Sequence, residues 1–157
     1  MELQKLCSYA NGGEIDRETI DSLVIRRVES DGFTLAVNIL KGNAAFVFAR
    51  IGELRAQNYE PMQILSVINM SLSDIYRARL ARSAGLSYTD CAKDFGYPRN
   101  REFAVRKAFD DCMSIDPDRL RRTIMLLSDT ELRMKTTSMN DSAAYLAVEQ
   151  FAAGAMA

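Results

Sequence analysis

The stretch Gly85–Phe109, GLSYTDCAKDFGYPRNREFAVRKAF, decides which fold the chain adopts. Ser87 is a favourable N-cap for a short helix, and Gly96 is a residue type that ends one. A longer segment rich in Arg and Lys follows this turn. A short helix, a glycine turn and a basic helix are the parts of a DNA-reading helix-turn-helix. The same parts also serve as a packing unit inside a helical bundle, so the rest of the chain must distinguish the two.

Length, composition and charge indicate an ordinary globular protein and argue mildly against DNA binding. The 157 residues suit one compact domain, or one domain with part of another. Apolar residues make up 48% of the chain and charged residues 26%, which is ordinary for a globular protein. The formal net charge is −1, so there is no overall attraction to nucleic acid or anionic membrane. Because DNA-binding proteins usually carry a basic excess, the charge argues mildly against a DNA reader.

The cysteines do not form a metal site or a disulfide framework. Cys7, Cys91 and Cys112 are far apart, and the chain has no histidine to complete a zinc set. We interpret them as small apolar side chains in a reducing cytosol. The first residues lack the apolar core of a signal peptide, and no apolar run approaches the ~18 residues of a membrane span. The sequence therefore predicts a cytoplasmic protein without membrane contact.

Helical periodicity dominates the chain and predicts an all-α bundle of roughly nine helices. Two short helices, over residues 2–10 and 16–27, precede a break at residues 29–32 that is the best candidate for a domain boundary. The longest helix begins at Pro61 and stops at Gly85. Its predicted apolar stripe consists of Ile64, Leu65, Ile68, Leu72, Ile75, Tyr76 and Leu80. A shorter stripe after the predicted N-cap Asn43 consists of Ala44, Val47, Phe48, Ile51 and Leu54.

No catalytic constellation is recognisable, and no cofactor or metal site is predicted. The absence of histidine removes the commonest general base, and neither a phosphate-binding glycine loop nor a nucleophile elbow occurs. Carboxylates do cluster at Asp110, Asp111, Asp116 and Asp118. Adjacent helical residues point about 100° apart, and the last two flank Pro117 at a helix start, where negative charge is favourable. We interpret these carboxylates as capping and solvated groups, and an enzyme acting by itself is not expected.

The segment from Arg77 to Arg122 carries eleven Lys or Arg against seven Asp or Glu. The densest cluster consists of Arg99, Arg101, Arg106 and Lys107. These side chains are candidates for weak contact with DNA phosphates or an acidic partner, although a solvated polar face is the commoner explanation. Methionine is also frequent within the predicted helices, at Met62, Met70, Met113, Met125 and Met134. Core filling is the favoured role for these residues, and an adaptable partner surface is the alternative.

The opening stretch resembles the second helix-turn-helix of AraC-type transcription regulators. Ala92, the FGY at residues 95–97 and Phe103 fall where that family has its small residue, its glycine turn and its packed aromatic. These positions define a shape and do not establish base reading. Such a regulator needs another unit about fifty residues earlier, and MQILSVINMSLSDIYRARLA at residues 62–81 instead forms one continuous helix. An AraC-like DNA-binding regulator fragment is therefore the alternative hypothesis.

A second resemblance covers nearly all of the chain. ELQKLCSYANGGEIDRETIDSLV at residues 2–24 resembles the end of the small AAA+ lid domain in the delta subunit of bacterial DNA polymerase III, a clamp-loader component. GFTLAVNILKGNAAFVFARIGELRAQNYEPMQILSVI at residues 32–68 is similar to the entry into its helical collar. Residues 85–109 and LRRTIMLLSDTELRMKTT at 120–137 follow in the family's order. Asn58 and Thr137 depart from the pattern, because the family usually has glycine there.

The resemblance to the delta family implies both an organisation and a function. Residues 1–30 would be the last helices of the lid, as a fragment, and residues 31–157 the collar, an oligomerisation domain in a bundle of clamp-loader collar type. The nucleotide-binding-like domain and the clamp-opening segment would precede this chain. The implied role is a non-catalytic subunit of the DNA-directed DNA polymerase holoenzyme that joins other clamp-loader subunits through the collar. Sliding clamp and primer–template DNA would be met only through the preceding part or the assembled complex.

Overall fold

A computed structural model describes residues 31–157 of the chain, and these residues form an all-α bundle. The predicted helices over residues 2–10 and 16–27 lie outside the described residues. The seven helices predicted from residue 33 onward are all found. They are α1 (31–41), α2 (Ala44–Ala56), α3 (Pro61–Ser83), α4 (Tyr88–Asp94), α5 (Glu102–Asp111), α6 (Pro117–Thr136) and α7 (Asp141–Met156). Short 3₁₀ turns, Arg99–Arg101 and Cys112–Ser114, precede and follow α5.

The 23-residue helix α3 lies at the centre of the bundle. Pro61 occupies its first turn, where the missing N–H is no loss. Helices α4, α5, α6 and α7 all pack against it, and it is continuous where a second helix-turn-helix would require a break. The buried core of its stripe consists of Ile64, Leu65, Ile68, Leu72 and Ile75.

Helix ends are set by local chemistry that the sequence predicted. Asn43 accepts a hydrogen bond from the amide of Phe46, and Ser87 forms a capping box with Asp90. Gly96 has φ of +64°, in the left-handed region that closes the turn between α4 and α5. Asn58, one of the two departures from the pattern of the resembled family, adopts φ of 58°. Asparagine tolerates this conformation better than most residues, which explains how the turn before α3 forms without glycine.

Several apolar residues assigned to the core are exposed. Phe48 on α2 and Tyr76 on α3 point outward, and Leu80 is 50% exposed. The aromatic Phe103, expected to be packed, is 73% exposed. The predictions for Phe48, Tyr76 and Leu80 were wrong because the predicted stripes were wider than the surface that neighbouring helices cover. The prediction for Phe103 was wrong because it came only from the resemblance to the AraC-type unit.

The methionine and cysteine predictions had mixed outcomes. Cys91 and Cys112 are buried free thiols, as expected for small apolar side chains. Met134 packs against the core, whereas Met113 is 51% exposed and Met125 is 61% exposed. Core filling is therefore wrong for Met113 and Met125.

Arginines from the basic segment hold helix ends together. Arg79 donates to the carbonyls of Cys112 at 2.9 Å and Ile115 at 2.7 Å. Arg119, near the start of α6, donates to the carbonyl of Met156 at 2.8 Å. Charge-assisted bonds to the carbonyl ends of helices satisfy groups that the helix itself leaves unpaired. Part of the local basic excess is thus used inside the fold.

The two buried threonines of α6 allow a matched test of polar burial. Thr130 donates to the carbonyl of Leu126 at 2.8 Å, whereas the hydroxyl of Thr123 has no hydrogen-bond partner among the described residues. We expect Thr123→Val to raise the free energy of unfolding by about 1 kcal/mol, because it removes an unpaired polar group while keeping the side-chain shape. Urea denaturation measures the change. Thr130→Val is the control and should give no gain, so equal stabilisation by both variants would contradict the argument.

Candidate docking surfaces and the basic cluster

The four basic residues singled out from the sequence have different surroundings. Arg101 turns inward from the turn before α5, and its Nη2 lies 2.6 Å from Oδ2 of Asp74 on α3. Both side chains are largely buried. The Arg101 guanidinium also lies 5.5 Å from the ring centroid of Tyr97. A guanidinium committed to a buried carboxylate and an aromatic ring is not free to contact a phosphate.

The other three candidates lie in different surroundings. The guanidinium of Arg106 lies 5.9 Å from the ring centroid of Tyr88 on α4. Lys107 is half-buried, and its Nζ lies 4.8 Å from the ring centroid of Phe33 on α1. Arg99 is exposed. Arg101, Arg106 and Lys107 therefore reach three different helices, and a common surface for DNA or an acidic partner stays a prediction.

Asp74 is the centre of a polar network between α3 and the turn before α5. The Tyr97 hydroxyl donates to Oδ1 of Asp74 at 2.5 Å and accepts from Nη1 of Arg77 at 3.1 Å. The Arg77 guanidinium in turn lies 5.2 Å from the ring centroid of Phe95. Both carboxylate oxygens are thus paired, as a buried charge requires. The network fixes how α4 and α5 sit on α3.

Burial and hydrogen bonding shift two pKa values in this network. Desolvation raises the pKa of Asp74, although the hydrogen bond from Tyr97 and the charge of Arg101 act in the opposite direction. Desolvation, together with the hydrogen bond to Asp74, raises the pKa of Tyr97 to about 12. Tyr97 therefore stays protonated and serves as a donor to the carboxylate at any physiological pH.

Sequence reasoning missed this network, although one signal was present. Asp74 shares a helix face with Ser71, Ala78 and Ala81, all of which are buried. A charged residue within a row of small buried residues indicates a paired carboxylate. Its partners could not be identified, because Tyr97 and Arg101 are distant in the sequence.

The outer surface of α2 is apolar and has no partner in the described residues. Val47, Ile51 and Leu54 face the core, where α2 packs against α7. The exposed residues opposite the core are Ala45, Phe48, Ala49, Gly52 and Ala56, hereafter the α2 outer face. Phe46, Glu53 and Arg55 are exposed beside it. A surface helix normally presents polar residues to solvent on that side.

Gly52 makes the α2 outer face unusual. It lies inside the helix without a positive φ, and a Cβ placed on it would meet nothing within 4 Å. Glycine inside a helix costs about 1 kcal/mol relative to alanine. Nothing in the described part of the chain requires this glycine, whereas the close approach of another helix would.

The described residues contain no cluster of three or more His, Cys, Asp or Glu side chains able to hold a metal ion. Within the same part of the chain, no helix has the length and apolar character needed to cross a lipid bilayer.

Seven packed helices without a strand in residues 31–157 define an all-α bundle. Residues 29–152 match the sequence model of the family described as DNA polymerase III delta subunit, C-terminal domain. The chain therefore belongs to this family, which consists of the C-terminal domains of DNA polymerase III delta proteins. The resemblance identified from the sequence is thereby confirmed.

Two relatives show how much of a delta protein the chain represents. It is 26% identical over 136 residues to the DNA polymerase III subunit delta of Bacillus subtilis, covering 86% of this chain and 38% of that protein. The solved structure of the Bacillus subtilis DNA clamp loader delta protein matches the fold with a TM-score of 0.74 at 23% identity. That match covers 99% of this chain and 44% of the other. The chain thus spans less than half the length of these relatives, and nothing in these comparisons supports the AraC-like regulator.

The ion pair between Asp74 and Arg101 can be tested by a double-mutant cycle. We expect Asp74→Leu to lower the free energy of unfolding by about 3 kcal/mol, because it leaves a buried guanidinium without its carboxylate. The double variant Asp74→Leu/Arg101→Met should recover part of this loss, since neither charge then remains. Urea denaturation of the single and double variants provides the measurement. Additive losses would mean that the pair is not coupled.

The raised pKa of Tyr97 gives a prediction at alkaline pH. Its folded value of about 12 lies above the ordinary value of 10, so the unfolded chain loses this proton first. The free energy of unfolding should therefore fall as the pH rises from 10 to 12, and less so in Tyr97→Phe. The difference in tyrosinate absorbance between wild type and Tyr97→Phe should be near zero at pH 10. Half-ionisation of Tyr97 at that pH would contradict the buried network.

Proposed function

We propose that the chain is a non-catalytic assembly module of the clamp loader that loads the sliding clamp on DNA during replication. In this proposal residues 31–157 form the collar domain that binds other clamp-loader subunits, and residues 1–30 are the end of the preceding lid domain. Family membership supports the role, and the match beginning at residue 29 supports the boundary. Sliding clamp and primer–template DNA would be contacted through the rest of a delta protein or through the assembled complex. A role in replication would place the protein in the cytoplasm.

The α2 outer face is the observation that carries the proposal. Stable protein interfaces bury more than ~1,000 Å² and are poor in charge at their centre. Ala45, Ala49 and Gly52 would let a partner helix approach closely, and Phe48 would supply an aromatic contact. Charged residues adjoin this face without covering it: Arg50 is paired with both Asp31 and Glu53. The α2 outer face and the charged residues beside it therefore resemble the apolar centre and polar rim of a protein interface.

The basic cluster supports an assembly role better than DNA reading. A helix-turn-helix reader presents the basic side chains of its second helix to the major groove. Here Arg101 is paired with Asp74, and Lys107 lies against Phe33. The unit formed by α4 and α5 therefore serves in this proposal as a scaffold element, and contact between its exposed basic residues and DNA is secondary to assembly.

The assembly role predicts opposite effects of one substitution on stability and on binding. Gly52→Gln should raise the free energy of unfolding of the isolated chain by about 0.5–1 kcal/mol, because glutamine favours the helix more than glycine does. The same variant should lose co-migration with the ATPase clamp-loader subunit on size exclusion at micromolar concentration. The added side chain would hold a partner helix away from the α2 outer face.

Ala153→Gln is the matched control, because Ala153 is an exposed residue of α7 outside the α2 outer face. It should leave co-migration unchanged. If the wild-type chain itself fails to co-migrate, the assembly role is wrong. If Gly52→Gln binds like wild type, assembly stands but takes place through a different surface.

A further inference from the structure

One of the grooves between the helices of this bundle has an unusual lining. It measures ≈ 360 Å³ and lies where the turn before α3 meets the loop between α6 and α7. Three of its lining residues are Met62, Met134 and Met139, and two are the carboxylates Glu60 and Asp141. We call it the methionine groove. Its size falls within the range of pockets that hold small ligands or individual side chains.

The walls of the methionine groove are held together by fixed contacts. The hydroxyl of Tyr145, on α7, donates to the backbone carbonyl of Tyr59, next to the groove residue Glu60. The guanidinium of Arg55 covers the Tyr145 ring at 4.8 Å from its centroid. Met134 packs against the hydrophobic core from one side. The groove is therefore formed by α3, α6 and α7 together with the loop at residues 137–140, which contributes Met139.

The methionines give the groove an apolar and adaptable wall. Met62, Met134 and Met139 are all half-buried, so that part of each side chain remains accessible. An unbranched thioether can change rotamer to fit different apolar side chains, which is why methionine is frequent on peptide-binding surfaces. Core filling accounts for Met134, which packs against the core, but Met62 and Met139 are not among the residues packed against it.

The two charged residues in the groove lining, Glu60 and Asp141, are both acidic. Glu60 precedes α3 but its side chain makes no capping hydrogen bond, and Asp141 begins α7, whose cap is supplied by Asn140. Neither carboxylate forms an ion pair with another described residue. Desolvation raises the pKa of Tyr145, the negative charges of Asp141 and Glu60 act in the same direction, and the charge of Arg55 acts against them. Both carboxylates thus lie near the same end of α7.

We propose that the methionine groove docks a short peptide segment of a partner protein in which an apolar side chain stands beside Lys or Arg. The apolar side chain packs among Met62, Met134 and Met139, and the cation pairs with Glu60 or Asp141. Charge complementarity selects this occupant, because an acidic or purely polar segment would leave either the carboxylates or the methionines unsatisfied. The site is separate from the α2 outer face, so the inference does not rest on the assembly role.

Methyl NMR of the 157-residue chain tests the site directly. The chain has eight methionines, so ¹³C-methyl labelling gives eight signals, of which three report on the groove. A short synthetic Lys/Leu peptide should shift the signals of Met62, Met134 and Met139 and leave those of the exposed Met113 and Met125 in place. Matched Glu/Leu and Lys/Ser peptides should shift none. Gly52→Gln should bind the Lys/Leu peptide like wild type, which separates this result from any loss of assembly.

Charge variants complete the test. Glu60→Gln/Asp141→Asn should weaken binding of the Lys/Leu peptide by about tenfold at low salt, as the loss of two exposed ion pairs predicts. Asp110→Asn/Asp129→Asn, at two other exposed carboxylates, changes the net charge equally and should leave the affinity unchanged. Equal weakening by both pairs would show general charge attraction and overturn the proposal. Equal shifts at Met113 and Met125, or tight binding of the Glu/Leu peptide, would also overturn the proposal. Groove signals that move with protein concentration alone would overturn it too, because the occupant would then be a second copy of the chain.

Discussion

Burial of α3 on several sides is the constraint on which the rest of the bundle depends. Five of its aliphatic side chains are almost completely removed from solvent, and each contributes about 1.5–3 kcal/mol relative to exposure. Helices α4 to α7 all pack against α3, so the position of each depends on the surface that α3 offers. A break at the middle of α3, which two successive DNA-reading units would need, would divide this surface. The continuous helix and the regulator hypothesis are therefore difficult to reconcile physically.

The ion pair between Asp74 and Arg101 acts on orientation more than on stability. Two charges removed from water gain little net free energy when they pair, so a buried pair is weak evidence for a stabilising role. Its geometric effect is larger, because it turns the guanidinium next to the Gly96 turn toward α3 and away from solvent. A unit with the outline of a helix-turn-helix thereby loses one of the cations that would face a phosphate backbone. Small residues and glycine set the shape of such a unit. Whether it can bind DNA depends on whether its basic side chains are paired inside the protein or available to phosphate.

The features that could be predicted from the sequence are the helix ends and turns that a few neighbouring residues determine. Caps such as Asn43 and Ser87, the proline start of α3 and the Gly96 turn depend on local backbone chemistry, and all are found where expected. The exposure of Leu80 and Phe103 depends on which helices lie alongside, which no local pattern encodes. The docking surfaces were reached only in part for the same reason, since an adaptable partner surface was the alternative role for Met62 and Met134 and the α2 outer face was not predicted. Their apolar residues look like core in the sequence, and only the packed bundle reveals that nothing described covers them.

Features that cost the isolated chain stability are the most informative about partners. A glycine inside α2 and an exposed Phe48 bring no folding advantage that the described residues reveal. Small domains are stable by only about 5–15 kcal/mol, so a loss of about 1 kcal/mol at one site is a substantial fraction. The α2 outer face and the methionine groove differ in chemistry, since the first has no charged residue and the second is lined by two carboxylates. The two proposals therefore assign them different partners, a packed helix on the first and a basic apolar segment in the second.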